Sequence, residues 1–175
     1  MKTKTYNVYK YDELTKEQQQ KAVTNLSDIN IDHDWWGGTY GDAKDIGLTL
    51  ESFDLDRNRH ATGKFSEDPH QVAKNIQDNH GKMCDTYRIA TDYLSVRDTL
   101  VKKYEDKNKP NHVAEEHEDI FDERLEMADK SFETMLINAY SVILQKDYEY
   151  LVTDEAIIET IQANDYDFTS NGVID

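Results

Sequence analysis

The chain has 175 residues, with 36 Asp and Glu against 20 Lys and Arg, for a formal net charge of −16. That length supports a real hydrophobic core, and 10% aromatic residues are more than a disordered chain usually carries. The charge repels nucleic acid and anionic membrane and attracts basic partners, although acidity of this kind also serves solubility alone.

No apolar run approaches the roughly 18 residues that span a bilayer. The start, Met1-Lys2-Thr3-Lys4-Thr5, leads into polar residues rather than the apolar segment of a signal peptide. One cysteine, Cys84, excludes an internal disulfide and a multi-cysteine zinc site. The expectation is a soluble protein of the bacterial cytoplasm, with Cys84 as a small buried residue.

Thr5 to Tyr11 reads as a first strand, with Tyr9 and Tyr11 on one side and Val8 on the other. Thr15-Lys16-Glu17-Gln18 is a capping box. The helix it opens turns Ala22, Val23 and Leu26 inward and fades near Asp28. Asp32 or Asp34 caps a second helix carrying Trp36, Tyr40, Ala43 and Ile46. Gly37, Gly38 and Gly41 each weaken it by about 1 kcal/mol relative to Ala, and Gly47 stops it.

Leu48 to Asp56 and His60 to Phe65 read as a hairpin turning at Arg57-Asn58-Arg59. Leu48 and Leu50 are out of phase with Phe53 and Leu55, which predicts a bulge near Ser52 or a strand buried on both faces. Asp68-Pro69 opens a helix that ends at His80-Gly81. Met83 to Lys107 is a helix with Tyr87, Ala90, Leu94 or Tyr93, Val101 and Tyr104 on its apolar face. Asn108-Lys109-Pro110-Asn111 breaks it.

Asn111 to Glu149 lacks Gly and Pro and reads as one long helix or two nearly collinear ones, about 55 Å if unbroken. Leu125, Phe132, Leu136, Ala139 and Ile143 form its apolar stripe. With so short a break before it, this helix packs against the preceding one as an antiparallel hairpin. Thr153 caps a short helix with Ile157, Ile158 and Ile161. The tail Asp165 to Ile174 reads as a strand or hairpin turning at Asn171-Gly172.

The order β-α-α-β-β-α-α-α-α-β predicts an α+β fold. A small antiparallel sheet carries helices on one face, with the long antiparallel helical hairpin attached. The reading is a single domain over 1–175, with its sheet-containing part at 1–82 and 150–175 and the hairpin at 83–149.

Beside the apolar stripe of the long helix runs a second row: Glu115, Asp119, Asp122, Glu126, Asp129 and Glu133. Spacings alternating between four and three place all six carboxylates on one face, roughly 110° from the apolar one. They cover about 27 Å of helix, a linear density of negative charge comparable with a phosphate backbone. These six are the candidate partner-binding residues. A solvated outer face of an amphipathic helix accounts for the same pattern.

Catalytic signals are missing. Asp54, Asp56 and Asn58 copy the start of a calcium loop, but Arg59 and Phe65 stand where Gly and Glu are needed. Asp28, Asn30 and Asp32 fail alike at His33 and Thr39. His112 and His117 are five apart, so they do not point at one ion from one helix. Asp32-His33-Asp34 suits helix capping beside the Trp pair, and less readily a metal or general base. The basic tip Arg57, Asn58, Arg59 and His60 reads as paired with the chain's own carboxylates or solvated. No cofactor and no catalytic residue is expected.

Several segments resemble a group of small acidic proteins encoded by bacteriophages and mobile elements, loosely labelled antitoxin-like or anti-restriction. They are Tyr9-Lys10-Tyr11-Asp12-Glu13-Leu14-Thr15-Lys16-Glu17, Asp34-Trp35-Trp36, Asp42-Ala43-Lys44-Asp45-Ile46-Gly47, Phe53-Asp54-Leu55-Asp56-Arg57, and Glu155-Ala156-Ile157-Ile158-Glu159 through Thr169. The resemblance implies a phage context and supplies no catalytic motif.

Taken together, these readings lead to the expectation of a non-catalytic anti-defence protein, of anti-restriction or anti-CRISPR type. It would block a nucleic-acid-targeting immune system by offering a DNA-like acidic face to a basic host nuclease or nucleic-acid-binding effector. It would not itself bind nucleic acid or membrane, and it could form a homodimer through the helical hairpin. The alternatives are an antitoxin-like partner contacting through the apolar edge of the hairpin, and a metal- or ligand-binding enzyme using Asp32, His33 and Asp34.

Overall fold

The computed structural model describes residues 7–56, 58–105 and 114–175, with side chains there except at 105 and 114–119. The fold is α+β, with the predicted order of elements. They are β1 (Tyr9–Lys10), α1 (Lys16–Asn25), α2 (Gly37–Asp45), β2 (Leu48–Asp54), β3 (His60–Phe65), α3 (Pro69–Asn79), α4 (Asp85–Glu105), α5 (Ala114–Leu151), α6 (Asp154–Ala163) and β4 (Asp167–Phe168). The strands form two separate antiparallel ribbons, β1 with β4 and β2 with β3, rather than one sheet. Tyr9 pairs with Phe168 and Lys10 with Asp167, and Phe168 also bridges to Ile174.

The described residues group into two compact units by their contacts. One comprises 1–36 and 146–175, the other 37–145. Helix α5 contributes to both: its residues to Gln145 fall in the second unit and those from Lys146 in the first.

The core of the first unit is Tyr11, Leu14, Ala22, Val23, Ile157, Ile161 and Phe168. Its local signals act as read. Thr15 Oγ1 accepts the Gln18 N–H, and Gln18 Oε1 accepts the Thr15 N–H, closing the capping box of α1. Thr153 Oγ1 accepts the Ala156 N–H at the start of α6. Lys10 Nζ reaches Asp165 and Asp167 at 3.1 and 3.0 Å and ties the two ends of the chain together.

The core of the second unit is drawn from every one of its elements except β3. Ala43 and Ile46 come from α2 and its end, Leu48 and Leu50 from β2, and Val72, Ala73 and Ile76 from α3. Ala90 and Tyr93 come from α4, and Phe132, Leu136 and Tyr140 from α5. Phe65 of β3 packs against them. Gly47, at φ +90, supplies the left-handed residue that lets the chain leave α2 and enter β2. The ribbon shifts register between Leu50 and Ser52, the bulge that the change of phase predicted. Asp68 Oδ1 accepts from the His70 and Gln71 amides, with Pro69 in the first turn of α3.

Helices α4 and α5 run antiparallel, because Tyr93 stacks on Phe132 at 4.3 Å while Tyr104 stacks on Phe121 at 4.7 Å. Of the two candidates on α4, Tyr93 is the buried one and Leu94 only half-buried. The predicted break at 108–111 and His112 lie outside the described residues. Among the described residues, no helix is long and apolar enough to cross a membrane.

Two glycines test this account in opposite directions. Gly172 has φ +72, and a Cβ there would stand 2.7 Å from Ala22 N and 2.9 Å from Gln18 O. Gly172→Ala should destabilise the protein by about 1–3 kcal/mol, from backbone strain. Gly41 lies within α2 with nothing near its missing Cβ, so Gly41→Ala should stabilise by about 0.5–1 kcal/mol. Urea denaturation midpoints of both variants check the pair.

Candidate functional site: the carboxylate face of the long helix

The six carboxylates on α5 do not share one environment. Glu115 and Asp119 lie in the helix, and their side chains are not among those described. Asp122 and Glu126 are exposed. Glu126 takes an ion pair from Lys130 at 2.6 Å, and that ammonium holds its carboxyl below the usual range.

Asp129 and Glu133 are half-buried and engaged internally. Tyr93 Oη donates to Asp129 Oδ1 at 2.7 Å. The Phe65 amide donates to Glu133 Oε1 at 2.7 Å, so Glu133 caps the end of β3. The expected row of six outward carboxylates is therefore corrected at these two positions. One oxygen of each carboxylate faces a donor of the protein itself. The exposed acidic residues of the described part of the helix are Asp122, Glu123 and Glu126 and, near its end, Glu149.

The geometry of α5 explains the split. Phe132, Leu136, Tyr140 and Leu144 are fully buried, each four residues after the last. Such a row advances about 40° per step at about 100° per residue. The buried face therefore winds toward the carboxylate row, and the row meets the core edge where Asp129 and Glu133 stand.

The sequence reading missed a polar network in the same unit. Tyr140 Oη donates to Asp42 Oδ2 at 2.7 Å. His80 Nε2 faces the other oxygen, Asp42 Oδ1, at 3.5 Å, long for a hydrogen bond but within ion-pair range. His80 Nδ1 meets Thr86 Oγ1 at 2.7 Å. A carboxylate only accepts, so the arrangement favours a proton on Nε2, with the Thr86 hydroxyl donating to Nδ1 when the ring is neutral.

Asp42, His80, Thr86 and Tyr140 come from α2, the end of α3, α4 and α5, and no short motif joins them. The available signal was Tyr140 on the buried row, because a buried tyrosine needs a partner for its hydroxyl. Thr86 and Tyr140 are buried while Asp42 is 54% exposed, so the set ties a surface carboxylate of α2 to the interior.

The other candidates fall out as follows. Cys84 is exposed, not buried, because it sits in the turn before α4, its amide donating to Gly81 O. Asp32, His33 and Asp34 are exposed in the loop before α2. Among the described residues, no three His, Cys, Asp or Glu side chains converge where a metal could sit. At the hairpin tip His60 Nδ1 contacts Asn58 O at 2.8 Å, and Asn58 and Arg59 are exposed. Arg57 lies outside the described residues, as does the side chain of His117.

No protein-family model matches the chain, and no curated protein or solved structure matches it.

The Tyr140 network has a pH signature. Burial first, and then the Asp42 carboxylate, push the Tyr140 hydroxyl far above its ordinary value. A raised folded-state value means that the native protein keeps a proton that the unfolded chain releases. The stability involved is full below about pH 10, the unfolded value, and is lost as pH rises beyond it. Tyr140→Phe should cost about 1 kcal/mol at pH 8, from the lost hydrogen bond. At pH 11 the parent should lose about 1.4 kcal/mol relative to the variant, the cost of keeping one proton a unit above pH 10, so the gap closes and the variant becomes slightly the more stable. Urea midpoints at the two pH values measure the change.

Proposed function

We propose that the protein is a non-catalytic, phage-encoded inhibitor of a bacterial nucleic-acid-targeting defence system. In this reading it occupies a basic surface of a nuclease or nucleic-acid-binding effector. One observation carries the reading: the described acidic residues all keep contact with solvent. Of the described Asp and Glu residues none is buried, and the chain carries 36 acidic against 20 basic side chains.

Such a surface raises the encounter rate with a cationic groove and competes with the polyanion meant for it. The three exposed carboxylates at Asp122, Glu123 and Glu126 occupy little more than one helical turn, with neighbours about 5–6 Å apart along the helix. Screening by salt should weaken the interaction steeply. The phage context comes from the resemblance described above.

A second reading, an antitoxin-like partner docking by apolar contact, draws on Ile120 and Met127. They lie seven residues apart on α5 and are 42% and 65% exposed. The two readings separate by substitution.

The test is plasmid or phage survival in cells that carry an active restriction or CRISPR system and express the chain. The parent should raise survival at least tenfold for some such system. The triple change Asp122→Lys, Glu123→Lys and Glu126→Lys should return survival to the empty-vector level with the helix content intact by circular dichroism. Full protection by the triple variant would overturn the acidic reading. Loss of protection on Met127→Ala with Ile120→Ala, and not on charge reversal, would favour the apolar contact.

A further inference from the structure

We propose that the outer side of the α4–α5 hairpin binds a second copy of this chain, face to face, as an antiparallel four-helix bundle. The proposal is independent of the inhibitor reading and assigns a different side of α5.

Four large apolar side chains of these helices are exposed: Val96 at 50%, Met127 at 65%, and Ile120 and Met135 each at 42%. All belong to one compact unit. Tyr93 and Phe132 stack at the seam between the helices. At about 100° per residue, Val96 lies about 60° round α4 from Tyr93. Met135, Ile120 and Met127 lie about 60°, 120° and 140° round α5 from Phe132, in the same turning sense. In an antiparallel pair one turning sense leads to one side on both helices. Glu133, which caps β3, lies about 100° the other way. The four apolar side chains therefore share the side turned away from the ribbon.

The stacked rings also set the level of one helix against the other. Tyr93 lies by Phe132 and Tyr104 by Phe121, so positions 97–98 of α4 stand level with positions 127–128 of α5. A two-fold axis crossing both helices at that level lays each one antiparallel on its own copy. On α5 it brings Ile120 opposite Met135 of the second copy, and Met127 opposite Ala128 of the second copy. Arg124 falls opposite Ser131 of the second copy and meets no like charge.

On α4 the same axis brings Lys103 opposite Asp92 of the second copy. Lys103 and Asp92 lie about 80° and 100° from Tyr93, on the outer edge of this same side. Both are exposed, and among the described residues neither is tied into an ion pair within the chain. The apolar pairs place the axis from α5 and the charged pair places it from α4. The two placements coincide through the stacked rings, and this self-complementarity selects a second copy over an unrelated helix. Methionine suits the centre of such a contact, because its flexible thioether fills irregular gaps.

The experiment measures the mass of the purified full chain by sedimentation between about 1 and 100 μM at moderate salt. The parent should approach twice its 20.4 kDa at the upper end. Met127→Arg sets two cations beside the axis and should weaken the dimer at least tenfold, with helix content intact by circular dichroism. Lys103→Glu and Asp92→Lys should each weaken it severalfold, and the two together should restore it to within about twofold of the parent, because the swap rebuilds the pair.

A parent that stays monomeric at every concentration would overturn the proposal and leave Ile120 and Met127 open to an unrelated partner. A dimer indifferent to Met127→Arg, or a charge swap that restores nothing, would overturn it as well. The mass of the parent decides even if a variant fails to fold. The measurement contains no defence target, so a dimer that gives no protection in cells and a protective monomer sink different proposals.

Discussion

Phe132 sets the terms for the second unit. Its ring has no exposed surface, lies flat on Tyr93 of α4 at 11° between planes, and meets Phe65 of β3 at 5.1 Å. One side chain of α5 thus fixes both the helical hairpin and the position of the ribbon. Aromatic pairs of this kind contribute beyond the area they bury, by about 0.5–1.5 kcal/mol each. Once Phe132 is placed, its neighbours have no freedom. Asp129, one turn earlier, comes within reach of the Tyr93 hydroxyl, and Glu133, next along, comes to the end of β3. The carboxylate row is divided by packing, not by its own chemistry.

That division shows what was legible in the sequence. Signals of a single turn or cap were read correctly. Thr15 with Gln18, Asp68 with Pro69, Gly47 and the bulge before Ser52 each depend on a few adjacent residues, and local geometry decides them. The periodicity of α5 gave a correct helix with an incomplete buried face. The stripe chosen from Leu125, Phe132, Leu136, Ala139 and Ile143 omits Tyr140 and Leu144, both fully buried. A tyrosine counts as polar in a pattern of apolar residues, and its burial depends on Asp42, 98 residues away in the chain. Including it rotates the buried face toward the carboxylates, and the boundary falls where Asp129 and Glu133 are found. Cys84 failed for a related reason: its exposure is a property of the turn after α3, which residue type does not report.

Formal charge and available charge differ in this protein. Asp42 accepts from Tyr140, Asp129 from Tyr93, Glu133 from the Phe65 amide, and Asp68 from the first amides of α3. A carboxylate committed to a fixed donor keeps its charge, but its lone pairs are partly used and its position is set. Such a group adds to the long-range field that steers a cationic partner. It is a poor direct ligand for an incoming side chain. The net charge of −16 therefore describes encounter more than contact.

Contact then needs another source of specificity. A field of one sign attracts every basic surface in the cell, lysine-rich or arginine-rich, and salt weakens all such encounters together. Discrimination has to come from a short-range feature whose energy depends on shape.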